Sequence, residues 1–441
     1  MKRTATILFA LLAAFTLTRA QGTVEIVFNG TTATYNIPDS VSGVTIGRNG
    51  AKVTVTCSNT SNEYTYRVSG SSTNGSLTIT GEYKLTLQLA GLTLTNASGG
   101  AAIDIECGKR IDVVLEEETE NTICDSSKGA QKAALYIKGH AEFKGGGTLN
   151  VTGLKKHAIK VDEYCELKKS LGTINILGAV SDGIHCGDGK RGSTDNYFRM
   201  KGGTLNISGT GSDGIDSDDY GVVAIDSGRV VISVSDGSIG IKADSTVTVN
   251  GGIIDIDVPG QDSKGIRANY AVNIAGGENT INVSGDGAKG IKANRYTTGS
   301  TVLNGGNLYI SGGTTAISVS GAYYITTTDG VADTTKCMGI SVDADLTQTD
   351  GDVTINVKGD GAYSYHVKGT ETFSGGTFTV KDDGDTTKGD VNGDGSVDVA
   401  DISAIISVMA GTAEYADADV NDDGSVDVAD ISAVIAIMTG N

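Results

Sequence analysis

Two twelve-residue segments close the chain, DVNGDGSVDVAD at 390–401 and DVNDDGSVDVAD at 419–430. Each puts oxygen-bearing side chains at loop positions 1, 3, 5, 9 and 12 and Gly at position 6, the spacing that wraps a calcium ion. In the first loop the ligands are expected to be Asp390, Asn392, Asp394, Asp398 and Asp401, with the carbonyl of Ser396. In the second they are Asp419, Asn421, Asp423, Asp427 and Asp430, with the carbonyl of Ser425. Carboxylates this close repel one another without a cation, so calcium binding and ordering of the loops should be coupled.

An element must follow each loop to hold it. Ile402, Ile405, Ile406 and Met409 recur at helical spacing, as do Ile431, Val434, Ile435 and Met438, so each loop feeds one amphipathic helix. The polar stretch KDDGDTTKG precedes the first loop, and no entering helix can be read there. This loop–helix unit, repeated over Gly389 to Asn441, resembles a type I dockerin. The resemblance implies a cohesin-type protein partner on a scaffold or cell surface. It places the partner-reading positions on Val399, Ala400, Val428 and Ala429, alike in both copies. Where that family often has a Lys-Arg pair, this chain has Ile406-Ser407 and Ile435-Ala436.

The opposite end reads as a bacterial secretory signal over 1–20. Lys2 and Arg3 precede the apolar run ILFALLAAF, and Thr18-Arg19-Ala20 offers a small-residue cleavage site. No stretch is long enough to span a bilayer, so a secreted or cell-surface protein without membrane insertion is expected. The net charge of −19 excludes general nucleic-acid affinity. Six cysteines show no framework spacing, and no bridge is assigned.

The middle is a repeat. Small–apolar pairs recur at Ala134-Leu135, Ala158-Ile159, Gly183-Ile184, Gly214-Ile215, Gly240-Ile241, Gly265-Ile266, Gly290-Ile291, Ala316-Ile317 and Gly339-Ile340. Between them lie Gly-Gly turns followed by alternating residues such as GGTLNIS and GGIIDIDV. Short alternating strands at a period near 25 residues predict stacked coils. The expectation is an all-β, right-handed parallel β-helix of ~25-residue coils over 21–380, a linker at 381–388, and the small helical dockerin at 389–441. The unit GGTLNISGTGSDGIDSD resembles a family of secreted carbohydrate-binding β-helices with pectate-lyase-like architecture. That resemblance implies binding of plant cell-wall or acidic polysaccharide, with calcium held among the coils.

If each Ile of these pairs points inward, the next residue points out and stacks on its counterparts: Lys160, His185, Asp216, Lys242, Arg267 and Lys292. Lys242, Arg267 and Lys292 would form a cationic ladder suited to a polyuronate, or a solvated ladder balanced by acids such as Asp244. Asp182, Asp213, Asp216 and Asp218, with Asp219, form an acidic cluster that suits a second class of calcium site. Tyr220, Tyr270 and Tyr296 could line one edge and stack on sugars, or cap turns, as could Tyr164. The four histidines show no metal or triad spacing, and no nucleophile motif appears. Three readings follow. The first is a non-catalytic carbohydrate binder docked into a polysaccharide-degrading complex. The second is a calcium-dependent polysaccharide lyase, with Lys242 or Arg267 as base, or a glycoside hydrolase. The third is a structural spacer or adhesin.

Overall fold

Alternating segments bury one face only when neighbouring strands satisfy their backbone groups. The computed structural model describes residues 22–187, 196–298, 301–328, 331–359, 361–382, 388–392, 397–411, 413, 415, 418–421 and 423–439. The expected signal at 1–20, linker residues 383–387, and the loop ligands Asp394 and Ser396 lie outside the described residues. Strands run from Thr23–Asn29 to Thr377–Asp382 in one 20-stranded sheet, one 13-stranded sheet and two two-stranded sheets.

Pairing within both sheets is mostly parallel. In the smaller sheet the inward row runs Leu135, Ile159, Ile184, Ile215, Ile241, Ile266, Ile291 and Ile340 on successive strands. In the larger sheet, Val151, Ile176, Ile207, Ile232, Ile256, Ile281, Ile317 and Ile355 form a second buried row. The two rows belong to a single apolar core. Each such side chain contributes about 1.5–3 kcal/mol by leaving water.

The repeated Gly has a steric cause. A Cβ on Gly240 would stand 2.6 Å from the carbonyl oxygen of Gly265 and 3.1 Å from the Ile256 Cγ2 across the core. The same approach recurs at Gly214 and Gly265, so only a bare Cα lets successive strands and the opposite sheet close up.

The expected right-handed β-helix of even ~25-residue coils is not what this topology gives. Ala316-Ile317, counted in the Gly-Ile series, lies in the larger sheet, in strand Asn307–Val319. Ile291 pairs instead with Ile340, and two antiparallel hairpins lie between them: Arg295–Thr298 with Thr301–Gly305, and Tyr324–Thr328 with Val331–Thr335. Two more antiparallel pairs open the chain, Thr23–Asn29 with Thr32–Asn36 and Val44–Asn49 with Lys52–Cys57. Sequence spacing counts the residues between punctuation marks, and a hairpin or a change of sheet consumes the same length as a coil. The architecture is an all-β body whose parallel strands close round one core, followed by two short helices.

Those helices, α1 (Val399–Met409) and α2 (Val428–Thr439), share a separate small core of Val391, Ala404, Ile405, Ala418, Val420 and Val434. Only part of the expected apolar stripe is buried. Ile405 is buried, whereas Ile406 and Met409, like Ile435 and Met438, are exposed.

Candidate functional site

Each strand of the 13-stranded sheet turns alternate residues outward, and parallel register stacks them in rows. One row reads Lys160, His185, Asp216, Lys242, Arg267, Lys292 and Ser341. A second row, two residues before the inward Ile, contains Lys264 and Lys289 in register. His157, Asp182 and Asp213 hold the same place on earlier strands.

The acidic end of this face is more closely compensated than the sequence implies. The Lys242 ammonium lies 2.9 Å from Asp216 Oδ1 and 3.3 Å from both Asp213 Oδ2 and Asp218 Oδ1. Burial opposes its charge, but these carboxylates hold its pKa well above the ordinary lysine value. Burial, outweighing Lys242 and reinforced by Asp216 and Asp182, pushes Asp213 up to about 6. Two imidazoles also join the cluster. His157 and His185 each place Nδ1 3.0 Å from Asp182 Oδ2, and His185 Nδ1 lies 3.3 Å from Asp216 Oδ2. Burial disfavours the His185 cation, yet hydrogen bonds to Asp182 and Asp216 lift it to about 9. Burial alone would raise Asp182, but the two imidazoles hold it well below the usual carboxylate range. Sequence spacing showed no histidine site because His157 and His185 come together only through strand register.

The cationic end is different. Lys292 meets Asp343 at 2.9 Å, and Lys264 meets Asp262 at 2.9 Å. Lys289 reaches Asp262 only at 3.9 Å, and burial together with the neighbouring Lys264 lowers its pKa. Among the described residues no carboxylate lies within ion-pair distance of Arg267. Its guanidinium donates to Asn269 Oδ1 at 3.4 Å, and to the Asn294 amide oxygen at 2.7 and 3.1 Å once that amide is turned to face it. Lys242, Arg267 and Lys292 therefore stack as expected but differ in environment, with Lys242 enclosed by acids. Asp244, the expected counter-charge to Lys242, instead accepts from the Asp219 amide. The sequence reading missed Lys264 and Lys289, although the repeated KGIRAN and KGIKAN segments carried the signal.

The tyrosines do not act as one platform. Tyr220 and Tyr270 are exposed, Tyr220 with a left-handed backbone (φ 66°). Tyr164 stacks between His140 and Tyr197, with centroids 4.4 and 4.7 Å away. Tyr296 belongs to the strand Arg295–Thr298, and its side chain is outside the described residues.

In the C-terminal loops the last carboxylate of each does the same work. Asp401 accepts from the amides of Asn392 (3.0 Å) and Asp398 (2.8 Å), and Asp430 accepts from those of Asn421 (3.0 Å) and Asp427 (2.8 Å). Asp419 receives the amides of Asp423 and Gly424, the latter at φ 90° where glycine makes the turn. The loops thus curl their oxygens inward. Asp398 and Asp427 cap the helices through the amides of Ala400 and Ala429. Val399, Ala400, Val428 and Ala429 are exposed at the start of the helices. The oxygen-only donor set fits calcium.

Comparison with known proteins agrees with this division. Residues 49–264 match the family described as carbohydrate-binding domain-containing protein, and residues 388–439 match the Dockerin type I domain. The chain is thus similar to a carbohydrate-binding family over one region and, over another, to type I dockerins, domains that generally bind calcium and a cohesin-type partner. No curated protein matches it. A solved structure described as the polysaccharide lyase-like protein from C. thermocellum, a gadolinium derivative, is similar over 81% of this chain and 100% of its own. The identity is 16% and the TM-score 0.33, too distant to bear on chemistry. Among the described residues no helix is long and apolar enough to cross a membrane.

Proposed function

We propose that this chain is a secreted, non-catalytic binder of acidic plant cell-wall polysaccharide. Through two calcium ions in its dockerin it is held on a cohesin-type partner within a polysaccharide-degrading complex. The observation that carries the reading is the cation array Lys264, Lys289, Arg267 and Lys292, two rows in register on a protein of net charge −19. Adjacent strands stand about 4.8 Å apart, close to the length one pyranose adds to an extended polysaccharide. A uronate on each residue would bring a carboxylate to successive rungs, and Arg267 offers a bidentate fork that no carboxylate among the described residues occupies. Binding without cleavage is favoured because Lys242, enclosed by Asp213, Asp216 and Asp218, holds its proton too firmly to serve as base. Exposed Val399, Ile406 and Met409 on α1, matched by Val428, Ile435 and Met438 on α2, supply apolar contacts for the partner.

The test is affinity electrophoresis of the chain through gels containing polygalacturonate or neutral β-glucan. The recovered polymer is then assayed for unsaturated ends. Retardation by polygalacturonate alone, without unsaturated ends, is expected. Free migration in both gels would refute sugar binding, and unsaturated ends would establish a lyase.

A further inference from the structure

We propose that His157, His185 and Asp182 form a site for a divalent transition-metal ion of the zinc type, fastening adjacent strands of the 13-stranded sheet. The four histidines of this chain are His140, His157, His185 and His366, and register brings two of them to one carboxylate. Their rings stack with centroids 4.4 Å apart and planes at 24°, so both Nδ1 atoms reach the same oxygen, Asp182 Oδ2, at 3.0 Å. Bonds of about 2.0–2.1 Å to nitrogen and oxygen in a tetrahedron set ligand atoms roughly 3.3 Å apart. The two separations to Asp182 Oδ2 are within a few tenths of an ångström of that value, and all three donor atoms lie within 4.8 Å of one another. Asp216 Oδ2 lies 3.3 Å from His185 Nδ1, beside the three-donor group rather than within it.

Two further observations point to a ligand for this group. His157 is 1% exposed, yet among the described residues neither of its ring nitrogens has a partner at hydrogen-bonding geometry. Asp182 and Asp216 are 4% exposed, and both are oriented by outer contacts. Asp182 Oδ1 accepts from the Asp213 amide at 3.1 Å, and Asp216 Oδ1 faces the Lys242 ammonium at 2.9 Å. Each carboxylate thereby keeps its other oxygen for the imidazoles, as outer-shell partners do at metal centres.

The donor set also selects the metal. Calcium takes oxygen ligands, whereas imidazole with carboxylate suits zinc and its neighbours. The calcium site expected among Asp182, Asp213, Asp216 and Asp218 would have to displace Lys242, which already stands between the last three.

The test uses the untagged full chain in excess calcium, which fills the dockerin loops. Titration with Zn2+ should show one equivalent bound and a raised melting temperature of the β body. Co2+ should give the visible absorption of a tetrahedral site, and X-ray absorption should show nitrogen ligands at about 2.0 Å. His157→Gln should abolish the equivalent while leaving calcium-dependent helicity intact. If that variant misfolds, the wild-type stoichiometry and Co2+ spectrum decide the matter. No uptake, an octahedral oxygen-only spectrum, displacement of zinc by calcium, or full uptake by a folded His157→Gln variant would each overturn the proposal.

Discussion

Replacing Lys242 by Met removes the cation shared by three carboxylates and keeps most of the apolar stem. Asp213 and Asp216 are 6% and 4% exposed, so water cannot replace the lost ammonium. Breaking a buried ion pair by deleting one partner costs about 3–5 kcal/mol. At roughly 2 °C per kcal/mol for a body of this size, the melting temperature should fall by about 6–10 °C. The loss should depend on pH. Asp213 is raised to about 6 in the folded chain, above its ordinary carboxylate value, so its ionised form opposes folding. That penalty is complete above pH 6 and fades as pH falls toward about 4. Lys242 is the charge that holds Asp213 down, so its loss should raise Asp213 further; the variant should be closest to wild type near pH 5 and furthest from it near pH 8, and adding Asp213→Asn should restore part of the difference. Differential scanning calorimetry of both proteins, in calcium at pH 5, 7 and 8, measures this. A decrease under about 2 °C, equal at every pH, would refute the enclosed-ammonium account.

Removing calcium with chelator should abolish the helical circular dichroism of the dockerin while leaving the β signal in place. Calcium-replete helicity unchanged by Asp430→Ala would reject the ligand assignment. Arg267→Ala and Lys289→Ala should each weaken polygalacturonate retardation about 5- to 30-fold in affinity, on the order of 1–2 kcal/mol per charged contact. Equal retardation at low salt would move the sugar face elsewhere. Gly240→Ala, whose Cβ would meet the Gly265 carbonyl at 2.6 Å, should destabilise the body by about 1–3 kcal/mol, read as a lower melting temperature. An unchanged melting temperature would remove the steric reason for the repeat.

Much of the outward face of the 13-stranded sheet was legible because strand alternation has a period of two. Once Ile241, Ile266 and Ile291 are taken as inward, Lys242, Arg267 and Lys292 must point out and stack, and they do. Their charge balance was not legible. Asp213 and Asp218 come within 3.3 Å of Lys242 from an adjacent strand 24 to 29 residues earlier in the chain, a proximity that depends on strand register. The histidine pair was invisible for a related reason. His157 and His185 sit at different offsets from their own inward Ile, so no spacing rule links them, yet their rings stack. The even-coil expectation failed at Ala316-Ile317, where a pair with the right spacing belongs to the other sheet.

By itself the sequence determined the two loop–helix units and their caps, because turn glycine, cap and first helical turn all fall within twelve residues. It also determined that Gly-Ile pairs punctuate an all-β body, because local alternation fixes which side chains face inward. The tertiary structure decided how strands are shared between two sheets, where hairpins interrupt them, and which charges neutralise which. Those outcomes depend on register between segments tens of residues apart, where a shift of one residue would turn every side chain to the opposite face.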